Sequence, residues 1–143
     1  FTGDAFGLGL NESVRPGAPF LVCTTAPTDF DASEARKSIR RIVDTGAERA
    51  YLPHFGMHVH LSSGAEQLYR YLDRMEAILE AAGKIAADDI QAFCSAQVAP
   101  ATAEHLRECG VSDVAADLRW LGDDVEINAM GLSYCVRRRR TAH

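Results

Sequence analysis

Two capped amphipathic helices with a short β-rich stretch between them restrict the architectures open to this chain. Asp31 with Glu34 three positions on is a helix-start signature, an acidic cap facing the first turn. From there Ala32, Ala35, Ile39, Ile42 and Val43 recur at helical spacing as far as Thr45, and Gly46 supplies a left-handed stop. Arg36, Lys37, Arg40 and Arg41 occupy the other face. A second helix is read from Ser63 to Ala82. Ser63 and Glu66 make its capping box, and Leu68, Tyr71, Leu72, Met75, Ile78 and Leu79 its apolar stripe, ending at Gly83. Between them Arg49-Ala50-Tyr51 reads as a short buried strand that feeds a Pro-His-x-Gly turn, Leu52-Pro53-His54-Phe55-Gly56. Helix, strand and helix in this order imply a layered α/β fold.

The flanking sequence is less regular. Residues 5–30 are rich in turn formers, with one short β-rich segment, Phe20 to Thr25. After Gly83 the strand signal ends. Short helices are read over Asp88 to Gln97, Ala101 to Cys109 and Ser112 to Leu121, punctuated by Pro100 and Gly110, and a final helix over Val125 to Arg140. The organisation expected is therefore residues 1–83 as a mixed domain and residues 84–143 as an all-helical extension.

Composition narrows the function classes. A chain of 143 residues can bury a core, and 47% hydrophobic with 24% charged residues is a globular balance. A net charge of −5 argues against general nucleic-acid binding. The run Arg137-Arg138-Arg139-Arg140 reads as a solvated helix end, favoured there by the helix dipole. No apolar run is long enough to span a bilayer. Cys23, Cys94, Cys109 and Cys135 are spread singly, without metal-binding spacing, and read as small core residues in a reducing cytosol.

Two polar residues stand where chemistry could be done. His54 follows a strand and precedes a glycine two residues on, so its imidazole can turn into a crevice. Asp4, in Phe1-Thr2-Gly3-Asp4, reads as the end of another strand. Each motif alone is weak, since a Gly-Asp turn is usually only a turn. His58 and His60 alternate along a strand and could share a face, although ordinary loop histidines are the commoner case. His105 and His143 read as surface residues.

Together, Phe-Thr-Gly-Asp4 and the later Leu-Pro-His54-Phe-Gly resemble the second half of the metallo-β-lactamase-fold hydrolases. The intervening Pro27-Thr28-Asp29-Phe30-Asp31 and the closing Asn128-Ala129-Met130-Gly131-Leu132 are similar to a subgroup with a helical carboxyl-terminal extension. The resemblance implies an αβ/βα sandwich. It also implies that Asp4 bridges two divalent metal ions, zinc first with iron or manganese as alternatives, and that His54 ligates one of them. The superfamily's His-x-His-x-Asp-His set is not in this sequence. The chain is accordingly expected to be the carboxyl-terminal portion of a longer enzyme, whose amino-terminal half completes the site. Two such ions bring the pKa of a bridging water toward neutrality and polarise a carbonyl or phosphoryl oxygen. The reaction implied is hydrolysis of an ester, thioester, lactone or similar bond in a small-molecule substrate, and iron in the same pocket would suit dioxygenase chemistry. Set against it is a non-catalytic interaction module, with Asp4 and His54 structural and the helical part serving a partner or a homodimer.

Overall fold

The computed structural model describes residues 1–25, 30–54 and 56–141. A 3-10 helix, Gly3–Phe6, leads into strand β1 (Leu8–Leu10), which pairs antiparallel with β2 (Phe20–Val22). Helix α1 (Ala32–Asp44) follows, then an antiparallel hairpin of β3 (Arg49–Leu52) and β4 (Gly56–Val59). Four further helices complete the chain: α2 (Leu61–Ala82), α3 (Ile90–Glu108), α4 (Val114–Trp120) and α5 (Gly122–Thr141). The fold is mixed α/β, with five α-helices and two small antiparallel sheets among the described residues.

The α1 reading holds in detail. Asp31 caps it by accepting from Glu34 N at 3.0 Å, and Gly46 takes a φ of 68° after the last turn. Ala32 and Ile39 are buried on one face and Arg40 and Arg41 exposed on the other, while Arg36, read with them, is half-buried and paired with Asp73 and Glu76 of α2. The chain around Pro27, Thr28 and Asp29 lies outside the described residues.

Helix α2 begins three residues earlier than the Ser63 cap would place it. His60 is the N-cap, in the left-handed conformation (φ 60°) and without a side-chain bond to the helix. Ser63 Oγ instead donates back to His60 O at 3.1 Å. The tight corner after β4 sets the start of α2, overriding the capping pair. A strand, β4, stands after the turn, where the loop reading of His58 and His60 is the commoner case and a strand the alternative. Nor is the β3 stretch fully buried: Ala50 and Leu52 point inward while Arg49 and Tyr51 face out.

The two short helices expected on either side of Pro100 form one continuous helix, α3. Proline removes the N–H that would bond the carbonyl of Ala96, but both residues sit on the exposed face, where water can serve that carbonyl. The inward face carries Ile90, Cys94, Val98, Thr102, His105 and Leu106. His105, expected at the surface, has no exposed area at all. Read across Pro100, it falls on the core stripe four residues from Ala101 and three from Thr102. His143 lies outside the described residues.

One apolar core joins the elements, and residues from both sides of Gly83 enter it. Phe6, Leu8, Phe20 and Leu21 meet Leu68, Tyr71, Leu72 and Met75 of α2, with Ile90, Val98 and Leu106 of α3 and Leu132 and Val136 of α5. Burying side chains of this size stabilises by about 1.5–3 kcal/mol each. Cys23, Cys94 and Cys135 are buried, Cys109 is half-buried, and all four are free thiols. Burial raises each thiol pKa, that of Cys109 to about 11, so these are packing groups and not nucleophiles.

The outer edge of β2 is closed by side chains instead of a further strand. Gln67 of α2 accepts from Leu21 N at 2.8 Å and donates to Pro19 O at 3.1 Å. His105 Nε2 lies 2.8 Å from Leu21 O. Asn128 of α5 accepts from Thr25 N at 2.7 Å and donates to Cys23 O at 3.0 Å. Three helices thereby satisfy an edge that would otherwise carry open backbone groups. Gly131 lets α5 approach so closely, because a Cβ there would collide with the carbonyl of Thr25. That gives a physical reason for the Asn128-x-x-Gly131 spacing.

No described helix is long and apolar enough to cross a membrane.

Candidate functional site

Asp4 stands in the 3-10 helix, not at a strand end, and its side chain is exposed. Its own carbonyl accepts from Gly7 N at 3.0 Å, which closes the turn. Just before it, Thr2 lies along β3. Thr2 N donates to Tyr51 O at 3.1 Å, and the Thr2 hydroxyl reaches the same oxygen at 3.3 Å. The rings of Phe1 and Tyr51 meet with centroids 5.5 Å apart. Asp4 follows Thr2 by two residues and His54 follows Tyr51 by three, chain lengths of at most about 7 and 10 Å. The segment bearing the acid and the segment bearing the imidazole are therefore neighbours.

His54 occupies the exposed turn between β3 and β4, and Phe55 beside it lies outside the described residues. Its surroundings include a group that the sequence did not single out. Asp124 sits in the first turn of α5, and burial raises its carboxyl pKa, with His54 pulling the other way and Asp123 adding to the rise. The hairpin turn thus faces the start of α5. In the sequence Asp123-Asp124 reads only as two acids where a helix dipole favours them. Nothing local tells that one is half-buried beside a histidine 70 residues away.

His58 and His60 do not share a face. His58 is buried in β4, close enough to Gly64 that its imidazole would touch a Cβ there at 3.0 Å, whereas His60 is exposed beyond the strand end. Burial, and secondarily His60, lowers the pKa of His58 and keeps it neutral. Alternation along a strand requires both residues to lie within it, and the left-handed turn at His60 breaks that condition.

Among the described residues, no three His, Cys, Asp or Glu side chains gather into a metal-binding group. Asp4 and His54 are the right kinds of donor, a carboxylate and an imidazole, and both are reachable from solvent. They are two where a metal takes four or more ligands. Two of the larger surface grooves lie elsewhere, about 600 Å³ between α1 and α2 and about 670 Å³ between the carboxyl ends of α2 and α5. Comparison of the chain with protein-family models, with curated proteins and with solved structures returns no match.

Proposed function

We propose that this chain carries part of the metal centre of a metallo-β-lactamase-fold hydrolase, with Asp4 and His54 as ligands. The observation that carries the reading is the bond from Thr2 to Tyr51 O, which lays the Asp4 segment beside β3, the strand that leads into the turn bearing His54. Three further features support it. Both side chains are exposed and so accessible to an ion. The order of Asp4, then helix α1, then the strand before His54 is the order the resemblance implies. Asp124 lies within electrostatic reach of His54 and adds negative charge near it, which would favour a bound cation.

In this reading the remaining ligands come from residues outside this sequence. Divalent ions held there would supply Lewis acidity and an acidified water for hydrolysis of an ester, thioester, lactone or similar bond. The chain's own part is narrower. Asp4 would offer its carboxylate as a ligand. His54 would offer one imidazole nitrogen. The turn that bears His54 is held by the β3–β4 pairing. In the complete protein, Asp4→Ala or His54→Ala should lower bound metal and abolish hydrolysis while leaving the fold intact. Unchanged stoichiometry and activity would end the proposal.

A second reading, a non-catalytic interaction module, is favoured by one feature. Ile127, Met130 and Tyr134 lie exposed along a single face of α5. It predicts no metal above background in the complete protein, with a change in oligomeric mass when that face is made polar.

A further inference from the structure

We propose that the groove between the carboxyl ends of α2 and α5 binds a small amphipathic anion: one apolar chain ended by a carboxylate or a phosphate. The groove measures about 670 Å³, within the span of roughly 300–1,000 Å³ common to small-molecule sites. Leu79 and Val136 form an apolar floor. Lys84, Arg139 and Arg140 stand around it with a single acid, Glu80. Three cations to one anion is a local reversal in a chain whose net charge is −5.

The helix dipole accounts for arginines at the end of α5. It does not account for Lys84, which arrives from the α2–α3 connection, nor for an apolar floor beneath the charges. Arg140 is already occupied, since its Nη2 donates to Gly83 O at 2.8 Å and to Ile85 O at 2.6 Å. That bond ties the rim to the carboxyl end of α2 and fixes its shape. Lys84 and Arg139 enter no ion pair among the described residues. By contrast Arg15, Arg36, Lys37 and Arg74 are each held by carboxylates. Two cations outside the ion pairs of the described residues, set above hydrocarbon, match a ligand with a charged head and an apolar tail.

The site is separate from the proposed metal centre. His54 faces the first turn of α5, the groove lies at its last, and 20 helical residues span about 30 Å. Loss of one function need not touch the other.

The test titrates the complete protein with decanoate below its micelle concentration and follows the methyl resonances of Leu79 and Val136. The expected result is a saturable shift at both. Affinity should weaken by at least about tenfold in the double variant Lys84→Glu, Arg139→Glu, with Arg139→Gln intermediate. Both positions are exposed, so thermal midpoints should match the parent's. Decyltrimethylammonium, the same chain with the opposite charge, should bind at least tenfold more weakly. Four results would overturn the proposal: no saturable shift, equal binding of the cationic amphiphile, inorganic phosphate binding as tightly as decanoate, or charge reversal without effect. Sedimentation with phosphatidylglycerol vesicles, absent a decanoate shift at Leu79 and Val136, would assign the surface to membranes and also overturn it.

Discussion

Two regions of this molecule hold their polar groups in opposite ways. At the seam between β2 and the helices the polar groups are buried and, apart from Nδ1 of His105, bonded to one another. Asn128 Nδ2 lies 3.4 Å from the Tyr71 hydroxyl, which lies 2.9 Å from Thr102 Oγ1, which in turn donates to Val98 O at 2.9 Å. With its bonds to Cys23 and Thr25, the Asn128 amide has no hydrogen-bonding capacity left over. Burial raises the Tyr71 pKa to about 12 and keeps that hydroxyl protonated as a donor. At the 3-10 helix and the β3–β4 turn, Asp4 and His54 instead face outward on short, lightly packed segments. The seam spends its polarity on holding α5 and α3 to the sheet. The turn leaves its polar side chains at the surface.

That contrast can be broken from the stability side first. Gly131→Val should be the most damaging change, because any side chain there collides with the Thr25 carbonyl and must drive α5 off β2. A loss of about 4 kcal/mol or more, read as a fall in the urea midpoint, is expected. Asn128→Ala should follow at about 3 kcal/mol, since it strands the buried Thr25 N–H and Cys23 carbonyl together. A cost under about 1 kcal/mol for either would mean that the seam is looser than its geometry.

His105 sharpens the comparison through pH. Burial first, then Arg70 and Arg74, lower its pKa from the ordinary 6.5, while the Leu21 carbonyl and Glu108 oppose the shift. Its Nδ1 is buried without a partner, so charging it inside the core has no compensation on that side. The unfolded chain therefore takes up this proton before the folded one does. Stability from this source is complete above pH 6.5 and is lost as pH falls below it toward the lower folded value. Burial lowers the pKa of His58 as well, adding to the slope in the same window. His105→Gln, which can still donate to Leu21 O, should flatten that slope, measured as thermal midpoints from pH 8 to pH 5. An unchanged slope would remove His105 from the explanation. Smaller again is Asp31→Ala, where losing the α1 cap should cost about 1 kcal/mol.

The uneven legibility of the sequence follows from the same contrast. Helix α1 could be read residue by residue because its cap, stripe and stop are all local. The failures at α2 and α3 came where tertiary context outweighs a local rule. A left-handed corner at His60 set the start of α2, and an exposed proline left α3 unbroken. Dividing α3 at Pro100 also hid the stripe that runs from Val98 through Thr102 to His105, and so misplaced a core histidine. Asn128 and Gly131 were visible as a motif, but their task of gripping the end of β2 required the partner strand. Asp124 could not be found at all, because its meaning lies in a histidine far away in the chain. Asp4 and His54 were picked out by the chemistry of their motifs, and the neighbouring of their segments depends on a backbone bond that no local pattern encodes.

At the exposed end of the comparison the smallest stability effects should accompany the largest functional ones. Asp4→Ala and His54→Ala should each move the urea midpoint by no more than about 0.5 kcal/mol, as surface changes do. The decisive measurement is metal content per complete protein chain for the parent and both variants, taken beside those midpoints. The account predicts bound divalent metal in the parent and a clear loss in each variant at unchanged stability. Equal metal in all three, or a midpoint that collapses with either substitution, would contradict it.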